Sequence, residues 1–70
     1  MKKEEREMLI NDSFSAYLEG KLMYHTMNYK LLMESPQPIP EHTDFMAALE
    51  EELSKVAHYH ELLEVLENVV

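Results

Sequence analysis

Four histidines and fourteen carboxylates are the side chains of this chain that could carry acid–base or metal chemistry. The densest group is His58, His60, Glu61 and Glu64. His58 and Glu61 are spaced i, i+3, and His60 and Glu64 are spaced i, i+4, so each pair shares a helix face. Joined by a carboxylate such as Glu19 in an assembly of helices, they would offer imidazole and oxygen ligands. Di-metal bundles build their sites from Glu-x-x-His with inward-pointing ligands. Here only the reverse order occurs, and His58 projects towards the acidic outer side, so no metal or other cofactor is expected. A solvated polar face accounts for the cluster.

His25 stands in the middle of an apolar stripe. A histidine there is a ligand, a proton-relay group or an interface residue satisfied by a hydrogen bond. The last is expected, because buried polar groups are paired as a rule. Cysteine is absent and there is one glycine. Thiolate nucleophiles, zinc fingers, disulfides and a glycine-rich phosphate loop are thereby excluded. Ser13, Ser15, Ser35 and Ser54 have no surroundings like those of a nucleophile elbow. A non-enzymatic protein is expected.

Two helices must position these residues. All three prolines fall in Ser35-Pro36-Gln37-Pro38-Ile39-Pro40. Each proline disfavours helix at the residue before it, so an extended, polyproline-like connector over 35–40 joins a helix of about 4–33 to one of about 43–68. Ile39 is expected to tuck onto the end of the pair. The fold class is all-α: a single-domain antiparallel hairpin that pairs into a four-helix bundle as a dimer.

The second helix is close to heptad. Leu49, Val56, Leu63 and Val70 recur every seven residues, with Phe45, Glu52, Tyr59 and Leu66 as the offset row. This is an a/d seam. Glu52 is its one polar entry, and a buried carboxylate is costly unless paired. Paired with Lys21 or Lys30 of the first helix, it would set register or oligomer state. The expected arrangement is instead a slight rotation of the helix, with Glu52 turned to solvent and Leu53 buried in its place. Thr43 is the expected N-cap, with Asp44 in the first turn.

The first helix is apolar over more than half its circumference. Ile10, Phe14, Leu18, Leu22, Tyr29 and Leu32 form one stripe. Leu9, Ala16, Met23, Met27 and Leu31 form another. Asp12, Ser15, Glu19, Thr26 and Lys30 fill the polar sector. A helix buried on one side needs an apolar arc of about 100°, so one partner helix leaves surface uncovered. The methionines are expected to pack as ordinary core, although a Met-rich surface also suits adaptable binding. Gly20 is expected to mark a close helix–helix approach. The expected oligomer and partner interface is Phe14, Leu18, Leu22, His25, Met23, Met27 and Leu31 on the first helix. On the second it is Phe45, Leu49, Glu52, Val56, Tyr59, Leu63 and Leu66.

Charge narrows the partners. Residues 1–40 carry five basic and six acidic side chains, and residues 41–70 carry one basic and eight acidic, for a net −8. Such a surface repels phosphate and anionic lipid, so neither nucleic acid nor membrane is an expected direct partner. No secretory leader or spanning segment is apparent, and a cytoplasmic setting is expected. The expected role is a small acidic homo-oligomer, a dimer first, that binds and regulates another protein as an inhibitor or adaptor. The combination of size, acidity and missing catalytic motifs is common among small bacterial and phage proteins. The alternatives are an acidic mimic of nucleic acid that blocks a DNA-binding protein, and a metal-binding helical bundle.

Overall fold

A computed structural model describes residues 1–35 and 42–70. It contains two α-helices, α1 (Lys3–Glu34) and α2 (Thr43–Val69), packed against each other. The polyproline-like course of the connector and the tucking of Ile39 lie outside the described residues. The helices are antiparallel. Asn11 and Ser15 of α1 share a groove with Leu66 and Val70 of α2, while Leu32 and Ser35 share one with Ala48.

The ends follow from backbone accounting. Ser35 leaves the helix with φ −69° and ψ 130°, the extended geometry that a following proline imposes. Its N–H is shared between the carbonyls of Leu31 and Leu32, at 3.1 and 3.2 Å, and its Oγ donates to Leu31 O at 2.9 Å. At the start of α2 the cap is His42, not Thr43, which is the first helical residue. His42 Nδ1 accepts from the Asp44 N–H at 3.2 Å. The imidazole thus takes the place of the expected hydroxyl in satisfying a free donor of the first turn.

The seam of α2 follows the heptad. Phe45, Leu49, Glu52, Val56, Tyr59, Leu63 and Leu66 are all half-buried on one line, and Val70 at its end is exposed. The seam of α1 differs from the apolar stripe. It runs through Asn11, Ser15, Leu18, Leu22, His25, Tyr29 and Leu32, again at heptad spacing, and all seven are at least half-buried. Ile10 and Phe14 instead stay about half exposed. Ser15 leaves the expected polar sector and joins the seam. Two polar residues therefore sit where the stripe placed two large apolar ones.

Gly20 is also placed differently from expectation. It lies on the outer face of α1, and a Cβ added there would meet nothing within 4 Å. It marks no close approach.

Only Leu18 is fully buried among the described residues, at 1% exposure. A compact chain of 8.3 kDa would expose about 4,600 Å² and have a radius of gyration of about 11 Å. This one exposes 5802 Å² and has a radius of gyration of 16.7 Å, with extents of 58 × 17 × 13 Å. It is a rod with a seam and almost no interior.

Two substitutions test this arrangement by thermal or urea unfolding. Leu18→Ala should destabilise by about 2–5 kcal/mol, the ordinary cost of a core leucine. Gly20→Ala should stabilise by about 0.5–1 kcal/mol, because the helix gains propensity and no atom is crowded. Destabilisation by Gly20→Ala would show that another chain packs against that point.

Candidate functional site

The polar centre of the seam is built by both helices. His25 and Asn28 are one turn apart on α1, and Glu52 faces them from α2. His25 Nδ1 donates to Glu52 Oε2 at 2.7 Å. An ionised carboxylate only accepts, so the bond requires a proton on Nδ1. Asn28 Nδ2 lies 3.4 Å from each carboxylate oxygen. The side chains of His25 and Glu52 are 14% and 21% exposed. Aromatic rings close the site around the imidazole. Tyr59 stacks on it at 5.7 Å and 6°, and Tyr24 meets it edge-on at 5.0 Å.

Glu52 is thus paired, but not by Lys21 or Lys30. Lys21 extends instead over the Tyr17 ring, with Nζ at 5.7 Å from its centroid. Nor does Glu52 turn out in favour of Leu53, which is half exposed. A half-buried charge accepting from an imidazole and an amide fixes one vertical setting of the helices, because a shift by one turn breaks both contacts. No buried side-chain N or O atom lacks a partner among the described residues. The arrangement holds a register, and an open groove that Asn28 and Glu52 help to line lies beside it.

The remaining histidines are peripheral. His60 Nδ1 lies 3.7 Å from Glu64 Oε1 with both side chains about two-thirds exposed, and such pairs contribute little. His58 is exposed and meets Tyr59 edge-on. Among the described residues no three His, Asp or Glu side chains converge to hold a metal ion.

The seam has two flanks, and they differ. One is lined, in the half remote from the connector, by Glu19, His60, Glu64 and Glu67, with Asn11, Ser15, Leu63 and Leu66 beside them, in an open groove of about 390 Å³. The other is lined by Asn28, Leu31, Ala48 and Glu51, in an open groove of about 410 Å³. Of the expected interface residues, Leu18, Leu22, His25, Phe45, Leu49, Glu52, Val56, Tyr59, Leu63 and Leu66 lie on the seam between the two helices. Phe14, Met23, Met27 and Leu31 lie off that seam around α1, each about half exposed or more. Asn11, Ser15 and Asn28 were not among the expected residues. Extending the α2 heptad to α1 finds the first two; Asn28 is found only once Glu52 is seen to face it.

Compared with known proteins, the chain matches no family model, no curated protein and no solved structure. Among the described residues no helix is long and apolar enough to cross a membrane.

The coupling of His25 and Glu52 is measurable. His25→Leu should cost about 1–3 kcal/mol, because the carboxylate keeps only the long Asn28 contacts. The double variant His25→Leu with Glu52→Leu should recover most of that loss, since a packed apolar pair replaces a half-buried charge. A double-mutant cycle in thermal unfolding with no coupling between the two sites would remove the register role.

Proposed function

We propose that this chain is a non-enzymatic interaction protein that works as a homodimer of helical hairpins, a four-helix assembly, and regulates another protein by binding it. The observation that carries this reading is the exposed area, about 1,200 Å² above that of a compact chain of the same mass. A specific dimer of ordinary size covers about 800 Å² per partner. Self-association therefore uses much of the excess, and the rest is free for a second protein.

The flank that carries Glu19, Glu64 and Glu67 suits that second protein. Glu5, Asp12 and Glu50 fall on the same side by helical register, with Lys30 as the one cation among them. Met23, Met33 and Met46 supply apolar surface there, and all three are exposed. Methionine adapts to irregular partners, and the carboxylates steer a basic segment towards it. The expected target is thus a protein with a basic, amphipathic stretch.

Mimicry of a nucleic acid is the second reading, and the row of carboxylates along one flank favours it. A phosphate mimic loses its target steeply as salt rises, whereas an interface with a large Met contribution does so only in part.

Sedimentation of the wild-type chain at micromolar concentration should give the mass of a dimer. A stable monomer would overturn the assembly. For the target, immobilised wild type should retain a protein that the Glu19→Lys, Glu64→Lys, Glu67→Lys variant releases. Equal capture by both would remove the acidic flank from the binding role.

A further inference from the structure

The two sides of the seam present different chemistry, and only one of them can meet a copy of itself. By heptad register the flank opposite the acidic one carries Lys3, Glu7 and Lys21 from α1 and Asp44, Glu51 and Lys55 from α2. The charges cancel. Between them lie Ile10, Phe14, Tyr17 and Tyr24 of α1, each about half exposed, with Phe14 stacked on Tyr17 at 6.3 Å. Antiparallel packing sets Leu62, Val65 and Val69 of α2 beside them at the end remote from the connector. Val65 and Val69 are 51% and 72% exposed.

We infer that this neutral, aromatic flank is the surface through which two copies of the chain join. The inference rests on the dimer proposed above and assigns its face. Three observations carry it. The first is sign. In a two-fold dimer the same patch meets itself, so Glu5, Asp12, Glu19, Glu50, Glu64 and Glu67 would face their own copies across the acidic flank. Like charges set against each other are strongly disfavoured in an interface. The neutral flank sets no net charge against itself, and its lysines and carboxylates are free to pair across the axis.

The second is composition. Interface centres are enriched in aromatic side chains and depleted in charge. Phe14, Tyr17 and Tyr24 lie on this flank, whereas the other flank has none of the phenylalanines or tyrosines. The third is area. A single flank of a rod 58 Å long is ample for the roughly 800 Å² per partner of an ordinary dimer. Lys21 is already half-buried on this flank and held over Tyr17, so one long side chain there has less freedom to lose on association.

Paired substitutions on the two flanks provide the test. Tyr17→Glu and Val65→Glu should each weaken the dimer at least tenfold in sedimentation equilibrium. Met23→Glu and Leu53→Glu, on the acidic flank, should change it by less than threefold. The opposite ranking would overturn the assignment of the face while leaving the dimer in place; a monomeric wild type would instead overturn the proposed assembly. Folding and association can be lost together, so a second measurement avoids disruptive changes. The chain has no cysteine, and Lys21→Cys and Glu19→Cys each give one spin-label site per copy. Pulsed electron paramagnetic resonance should find the label pair at position 21 closer together than the pair at position 19. The reverse order would place the join on the acidic flank and sink the proposal.

Discussion

Two cylinders touch along a line. Every other feature of this molecule answers to that constraint. A pair of helices gives each side chain one neighbouring helix, so a residue must sit at the middle of the seam to be enclosed, and among the described residues Leu18 alone is. The other seam residues keep one edge in solvent. Apolar residues on the flanks keep most of their surface there. Chains of this length usually add a disulfide, a metal or another subunit to make up the deficit. Cysteine is absent, and among the described residues no three His, Asp or Glu side chains converge.

Within so thin an interface, polar groups affect alignment as much as stability. A row of leucines would allow the helices to slide by a heptad and repack similar surfaces. His25 and Glu52 have a single counterpart each along the seam, and Asn28 reinforces the pair from the next turn. Tyr59, stacked on the imidazole, and Tyr24, edge-on to it, limit where that ring can turn. The polar layer is therefore the feature that distinguishes one pairing of the helices from its neighbours, much as a lone polar residue does in a coiled coil.

The two helices were unequally legible in the sequence. In α2 the heptad row is almost entirely apolar, and hydrophobic spacing alone locates the seam. In α1 the seam passes through Asn11, Ser15 and His25, while the adjacent positions hold Ile10 and Phe14. Hydrophobicity therefore points one residue away, about 100° around the helix. An apolar side chain does not record which surface it is meant to cover, so a helix with exposed apolar flanks blurs the position of its internal contact. The partner of Glu52 was hidden for a related reason. Formal charge points to a lysine, whereas the antiparallel register brings an imidazole and an amide opposite. The proline-marked division into two helices was the plainest signal, because it rests on a covalent ring and not on packing.

The uneven charge of the rod has a consequence for growth. A surface able to stick to its own copy can build chains without end if it is present on every side. Here one side is balanced in charge and the opposite side is strongly negative, so in the proposed dimer only one direction would admit a like molecule. With that side occupied, what remained outward would repel further copies. The acidic residues would then act as a stopping rule that keeps a chain rich in exposed apolar groups from assembling into a filament.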